Sequence, residues 1–279
     1  MQLQMTDDEF RLFRDFILKE CGLFFANGKK SFLSARIAKR VISSSKNSFY
    51  RYYRYLQGNG DDQKAELMKL LDLLTINETR FFRNRPQFEL LEQIVLPTVI
   101  DTKKNRESLQ LRVWSAGCST GEEPYSIAIS ILETLLRWQN WDVRIFASDL
   151  SLSVLETANR GIYEASRLDG IIPERVKRYF EPCSEGYAVR EVLRSKVIYD
   201  FHNLKYENGL KDLDIIFCRN VLIYFDPEEQ IRVLNKFIQA LSPGGYLFLG
   251  HSESVLGLTD ELSFVHHNKG TAYRKVQYQ

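Results

Sequence analysis

Two glycines and one aspartate are the residues of this chain whose spacing most constrains its chemistry. The run Trp114-Ser-Ala-Gly-Cys-Ser-Thr-Gly121 places Gly117 and Gly121 in a G-x-x-x-G pattern at the end of an apolar stretch. Glycines there let backbone approach a ligand, with backbone N–H groups left free to bind it. Asp149 comes about thirty residues later, after a second expected strand at Val143 to Ala147, where a carboxylate can accept both hydroxyls of a ribose. A dinucleotide site would want G-x-G-x-x-G with its acid about 20 residues onward. The phosphate-cradling G-x-x-x-x-G-K-[ST] run does not occur either. A ligand with a ribose but no pyrophosphate fits better, and S-adenosylmethionine is the obvious one. The plainer alternative is that Asp149 is a buried structural acid.

Other reactive residue types are dispersed. Cys21, Cys118, Cys183 and Cys218 contain no C-x-x-C pair, which argues against a zinc site or a disulfide framework and makes each a small buried hydrophobe. His202, His251, His266 and His267 fit no metal spacing, so no metal is expected. Lys29, Lys30, Arg36, Lys39, Arg40, Lys46, Arg51 and Arg54 lie within residues 21–60, which hold no Asp or Glu. Without those eight the chain has 30 cations against 36 acids, although its formal net charge is +2. A basic patch on an otherwise acidic protein suggests an anionic partner, against the alternative of a solvated helix face.

The elements that must position these residues fall into two textures. The first ~75 residues read as helices only. Thr6-Asp-Asp-Glu9 fits a capping box, Phe10, Phe13, Ile17 and Cys21 follow at helical spacing, and Gly22 is a stop. A second helix begins near Ser31, with Leu33, Ile37 and Val41 as its apolar stripe and Arg36, Lys39 and Arg40 clustered on one side. Phe49, Tyr52, Tyr53 and Leu56 keep helical spacing and suit a core better than a base-stacking platform. Pro86 opens a helix that Pro97 limits, and Asp101 to Ser108 reads as a surface connection.

From Leu109 strands and helices alternate: strands at 111–116, 143–147, 213–218 and 246–250, helices at about 122–138, to about 160 and at 227–241. A hairpin spans Phe264 to Val276 around Asn268-Lys-Gly270. The expected fold is α/β, a mostly parallel sheet covered by helices and ending in an antiparallel hairpin, preceded by an all-helical N-terminal domain. Tyr187 to Val192 with Val197 to Phe201 suggests a small antiparallel β insert.

Hydrophobic content of 44% and charged content of 27% over 279 residues are ordinary for a globular protein. No apolar run approaches the ~18–20 residues of a membrane span. The start, Met-Gln-Leu-Gln-Met-Thr-Asp-Asp-Glu, has acids where a signal peptide needs a basic head. A cytoplasmic monomer is expected.

Four long motifs carry a resemblance that periodicity does not. They are Thr75-Ile-Asn-Glu-Thr-Arg-Phe-Phe-Arg83, Trp114 to Ser126, Phe217-Cys-Arg-Asn-Val-Leu-Ile-Tyr-Phe225 and Pro243-Gly-Gly-Tyr-Leu-Phe-Leu-Gly-His-Ser-Glu253, in that order. Together they resemble the chemotaxis receptor glutamate O-methyltransferase family (CheR type), over nearly the whole chain. The resemblance implies a Rossmann-like class I methyltransferase sheet and the cofactor S-adenosyl-L-methionine, with S-adenosyl-L-homocysteine as product. It divides the chain into a helical domain at 1–76, a linker and cofactor-lid helix at 77–108, and a methyltransferase domain at 109–279 with its β-subdomain at about 182–201.

Carried over position by position, it implies that Asn77, Thr79 and Arg83 lie over the methionine end and that Glu123 lines the same pocket. Asp149 holds the ribose, Asn203 and Leu204 border the adenine, and Arg219 and Asn220 close the pocket. Arg83 and Tyr224 are the side chains nearest the transferred methyl. The implied partner is the glutamate-rich cytoplasmic helical domain of chemoreceptors, which Lys29, Arg36, Lys39 and Arg40 could dock; nucleic acid and membrane insertion are not expected. A base-nitrogen acceptor is disfavoured because Phe217-Cys-Arg-Asn220 stands where an Asp/Asn-Pro-Pro-Tyr motif would be. A non-catalytic module that binds cofactor and receptors is the alternative. Some members grip a receptor tail peptide at a sheet edge, but the short Glu181 to Gly186 connection leads us to expect no such dependence here.

Overall fold

The computed structural model describes residues 3–105, 109–255 and 257–277. Helix α1 (Asp7–Cys21) opens on the expected capping box: Thr6 Oγ1 accepts from the Glu9 amide at 3.2 Å, and Glu9 Oε2 accepts from the Thr6 amide at 2.9 Å. Gly22, at φ 81, ends it. Helices α2 (Lys30–Ser43), α3 (Phe49–Leu56) and α4 (Asp61–Leu74) complete the N-terminal domain. Phe13, Ile17, Leu33, Ile37, Val41, Phe49, Tyr52 and Leu70 form its core. The aromatic run of α3 is therefore packing surface.

Helix α5 (Arg85–Leu90) passes through a π turn at Leu91–Val95 into α6 (Leu96–Asn105). Pro97 has no amide for the preceding turn and its ring crowds it, and the widened turn, with Leu96 N–H donating to the Leu91 carbonyl, accommodates this. Asp101–Asn105 thus continue a helix where a surface connection is expected from sequence; the rest of that segment lies outside the described residues.

The larger domain runs β1 (Gln110–Ala116), α7 (Glu122–Thr134), β2 (Asp142–Asp149), α8 (Leu152–Arg160), β3 (Ile162–Tyr163), α9 (Pro173–Tyr179), β4 (Phe180–Cys183), β5 (Gly186–Val189), α10 (Glu191–Arg194), β6 (Val197–Phe201), β7 (Leu213–Cys218), α11 (Pro227–Ala240), β8 (Leu241–Leu249), β9 (Leu262–His267) and β10 (Gly270–Lys275). Seven strands form one sheet in the order β6-β2-β1-β7-β8-β10-β9. The first five are parallel, and β10 and β9 are antiparallel additions. One apolar core packs α6 and α7 on one face, including Val99, Leu111, Val113, Ile127 and Ile145; the other packs Trp114, Ile216 and Leu247 against Phe237 of α11.

Two expectations need correction. Val197–Phe201 does not join the insert: as β6 it pairs in parallel with β2, Ile145 opposite Val197 through Asp149 opposite Phe201. The small antiparallel sheet is β3-β5-β4, and the two-residue β3 is too short to leave a periodic trace in sequence. Cys183 is exposed on β4, whereas Cys21, Cys118 and Cys218 are buried as expected.

Candidate active site

Strand order places the topological switch between β1 and β7, whose connections leave to opposite sides, so a crevice opens beyond their carboxyl ends. The cleft found there has a volume of about 430 Å³, within the range of small-molecule sites. Its floor is built from the loops after β1, β2, β6 and β7. Its other wall comes from the N-terminal domain, through Leu23, Phe25, Phe32 and the Thr75–Thr79 segment that follows α4.

Every residue expected in the cofactor pocket lines this cleft: Asn77, Thr79, Arg83, Glu123, Asp149, Asn203, Leu204, Arg219 and Asn220, together with Tyr224. Asp149 is buried at the end of β2. Its Oδ2 accepts from the Ser119 amide at 2.8 Å and its Oδ1 from the Ser151 amide at 3.0 Å. Burial raises this carboxyl above the ordinary aspartate range, against the opposing pull of those amides. The expectation of free loop amides after β1 fails at Gly117, Cys118, Ser119 and Gly121. Gly117 and Cys118 N–H both donate to the Ser148 carbonyl, at 2.8 and 2.9 Å, and Gly121 N–H donates to the Cys118 carbonyl. With the Ser119 amide on Asp149, these four donors serve the loop's own turn and the carboxylate.

At the other end of the cleft Arg219 is almost wholly buried. Its Nη1 lies 3.2 Å from Glu123 Oε2, and Glu123 Oε1 accepts from Ser115 Oγ at 2.7 Å. Burial pushes the Glu123 carboxyl up, countered chiefly by Arg219. Arg219 also donates to the Arg83 carbonyl, which docks the segment before α5 onto the sheet. Arg83 itself is half-buried and donates from Nη1 to the Glu78 carbonyl at 2.8 Å. Burial raises the Tyr224 phenol above its usual value, against the nearby Arg83 cation. Phe82 (φ 51), Asn84 (φ 62), Ser119 (φ 50) and Asn220 (φ 61) hold left-handed backbone around these side chains. Such strain in non-glycine residues collects at functional sites. Phe82 is kept there by its amide donating to Ser126 Oγ at 2.9 Å and by its ring against Phe88.

The donor set can be tested against the ligand read from the spacing. Each oxygen of a carboxylate has lone pairs beyond the one amide it accepts here, so Asp149 can still take the two hydroxyls of a ribose. A pyrophosphate would find the amides of Gly117, Cys118, Ser119 and Gly121 already engaged. Leu204 is an apolar wall for a base, and the buried Arg219 Nε lacks an acceptor among the described residues. Gly117, at φ 83, lets the Val221 side chain close against the loop where any Cβ would collide. These features suit an adenosyl ligand with an amino-acid tail.

The family models agree with this geometry. Residues 77–271 match the CheR methyltransferase, SAM binding domain, and residues 8–75 match the CheR methyltransferase, all-alpha domain. The chain belongs to the CheR methyltransferase family. It is an S-adenosylmethionine-dependent methyltransferase with a class I sheet and an all-helical N-terminal domain. Chemotaxis protein methyltransferase 1 of Pseudomonas aeruginosa is 38% identical over 98% of this chain and 99% of its own length. Chemotaxis protein methyltransferase 2 of Vibrio cholerae is 34% identical over 98% and 95%, and a chemotaxis protein methyltransferase of Salmonella typhimurium is 36% identical over 94% and 89%.

Within this CheR-family chain some expected residues do more than line the pocket. Asn203 turns its amide away to structure: Nδ2 donates to the Glu20 carbonyl at 3.2 Å and Oδ1 accepts from the Lys205 amide at 3.0 Å. Asn77 gives its carbonyl to Ser119 Oγ at 2.8 Å. Ser119, His202 and Val221 line the cleft without having been singled out in the sequence. His202 adjoins Asn203 in the chain and faces Trp114 at 6.0 Å, and burial lowers its pKa.

The four basic residues expected to dock a partner separate. Arg40 makes a bidentate pair with Glu66, Nε–Oε1 2.9 Å and Nη2–Oε2 2.6 Å, and Tyr52 donates to the same carboxylate at 2.8 Å. Arg36 donates to the carbonyls of Leu73 and Thr75 and stacks 4.2 Å over the Phe32 ring. Lys29, at the rim of the cleft, and Lys39 are exposed.

Proposed function

We propose that this enzyme transfers the methyl group of S-adenosylmethionine to glutamate side chains of the cytoplasmic helical part of a chemoreceptor, forming methyl esters. The observation that carries this reading is that Tyr224 and Arg83 line the same cleft, close enough for the Arg83 charge to act on the Tyr224 phenol. An anionic acceptor meets a cation and a hydrogen-bond donor there, with no base required.

When bound, the cofactor supplies an electrophilic methyl on a sulfonium. Asp149 would hold the ribose, Leu204 and the Asn203 backbone would border the adenine, and Asn77, Thr79, Glu123, Arg219 and Asn220 would enclose the amino-acid tail. A free glutamate has pKa ~4.3 and is already ionised at neutral pH. Arg83 steers that carboxylate. Tyr224, whose phenol like any tyrosine's is protonated at neutral pH, orients it with a hydrogen bond. Among the described residues Arg219 is paired with Glu123, whereas Arg83 has no carboxylate partner. Too tight a grip by Arg83 would stabilise the ground state as well and add nothing to kcat. Positioning in such an enclosed site is worth ~7–11 kcal/mol in well-oriented systems.

Docking is assigned to the rim. Phe24, Ile76 and Ile223 are exposed apolar side chains around the mouth, with Lys29 among them and Lys39 further along α2. A helix bearing glutamates would meet both the apolar collar and the cations. Arg40, committed to Glu66, is left out of this set. No described helix is long and apolar enough to cross a membrane, and we place the enzyme in the cytoplasm as a monomer that carries no nucleic acid. The test is incubation with methyl-labelled S-adenosylmethionine and receptor fragments. Base-labile label on glutamate is expected; base-stable label would mean another acceptor, and cofactor binding without transfer would mean a non-catalytic module.

A further inference from the structure

Glu253 closes the last of the four motifs and has no role in the pocket as described; it is not among the residues lining the cleft. Its surroundings give it one. Strands β7 and β8 are parallel neighbours with Cys218 opposite Leu249, so the loops that follow them leave the same sheet edge side by side. The loop after β7 must turn at once to present Asn220, at φ 61, and Tyr224 to the cleft. Its amides leave the sheet without strand partners, and buried amides need acceptors. Glu253 is the acceptor. Oε2 takes the amides of Asn220 at 2.9 Å and Gly250 at 2.6 Å. Oε1 takes those of Val221 at 2.9 Å and Ile223 at 3.3 Å. Gly250 makes room for this: a Cβ there would lie 2.6 Å from Glu253 Oε2 and 2.9 Å from the Asn220 nitrogen.

We propose that Glu253 is a positioning residue for methyl transfer, its carboxylate gathering four backbone N–H groups so that Asn220 and Tyr224 are held at the reacting end of the cleft. A carboxylate is suited to the task because it is acceptor-only and offers about four lone-pair sites, whereas a glutamine would turn an NH2 toward two of the amides. Hydrogen bonds to an ionised acceptor are also the stronger kind. From its other side the same loop is held by the N-terminal domain, where Phe24 N–H donates to the Tyr224 carbonyl at 2.7 Å and Leu23 bridges to Phe225. With that second anchor, loss of Glu253 should blur the loop rather than release it. The proposal rests on the reading of Tyr224 given above.

Glu253→Gln tests it by two independent readouts. Amide exchange at Asn220, Val221 and Gly250 is expected to quicken about tenfold or more while Val113 and Trp114 in β1 keep wild-type rates. With receptor fragment, kcat is expected to fall about tenfold while KM for the cofactor changes by less than about threefold. Wild-type kcat in the variant would overturn the proposal, as would faster exchange in β1 to the same degree, which marks general destabilisation. Should the variant not fold, wild-type exchange decides: protection of the Asn220, Val221 and Gly250 amides by about a hundredfold supports the proposal, and unprotected amides overturn it. Exchange does not depend on which group accepts the methyl, so its failure would leave the proposed reaction standing.

Discussion

Asp149 and Tyr224 are set by different surroundings, and their variants should separate cleanly. Burial makes Asp149 bind a proton at a higher pH than an exposed aspartate would. Only the ionised form accepts both ribose hydroxyls. Affinity for S-adenosylhomocysteine should therefore be flat around neutral pH and fall on acidification as the pH approaches that raised value from above. Asp149→Asn should weaken binding about 10- to 100-fold, the scale of hydrogen bonds to a charged acceptor, and remove this pH dependence in calorimetry. In the proposed mechanism Tyr224 orients the acceptor, so Tyr224→Phe should lower kcat about tenfold and leave S-adenosylhomocysteine affinity within about twofold. An unchanged kcat would take the phenol out of the mechanism. Sequence alone could nominate Asp149 from its spacing after the glycines and Tyr224 from its place in the third motif. It could not show that the amides of Gly117, Cys118 and Ser119 are taken by Ser148 and Asp149, because that depends on the register of β1 against β2.

Helix α2 shows how far an element can be read from its spacing. The stripe Leu33, Ile37, Val41 is core as its period demands. The cations on its other positions look equivalent in sequence and are not. Arg40 faces Glu66 of α4 with both side chains largely buried, so Arg40→Ala should destabilise the fold by about 1.5–3 kcal/mol in denaturant unfolding. Although burial opposes it, pairing with Arg40 and Tyr52 leaves the Glu66 carboxyl below its ordinary range. A depressed carboxyl adds stability above the unfolded value near ~4.3 and loses it as the pH falls through the folded one. The Arg40 variant should accordingly begin to unfold at a higher pH on acidification. Lys39→Glu should leave the melting temperature unchanged and lower kcat/KM for receptor fragment, most at low salt. Equal methylation by that variant at low salt would remove α2 from docking. The strands most visible in the sequence were long or mostly apolar, such as β7, whose one polar residue is Asp214. Short β3 and the half-exposed β6 were lost or misplaced because two to five residues do not define a period, and only pairing tells an edge strand of one sheet from a member of another.

At the scale of the whole molecule the two domains share one cleft. The carboxyl end of α1 is tied to the loop after β6, where Asn203 donates to the Glu20 carbonyl and Lys205 to those of Leu18 and Lys19. The Leu23–Phe225 bridge joins the same helix end to the Tyr224 loop. A ligand in the cleft touches both units, and binding only the native state at 100 Kd stabilises it by about 2.7 kcal/mol. S-adenosylhomocysteine should therefore slow amide exchange in the last turn of α1 as well as in β1. Slowing confined to β1 would mean that the domains respond separately. The sequence by itself determined the α/β class, the all-helical first domain and the adenosyl-type site, because periodicity, glycine spacing and motif order are local properties of the chain; the family resemblance nominated side chains such as Arg83 and Tyr224. Only the tertiary structure decided which cations are free, which amides are spent, where β6 pairs and that the first domain walls the pocket. Those outcomes depend on which groups meet across gaps of up to about two hundred residues, and a hydrogen bond or ion pair is settled by that meeting and not by the residue's type.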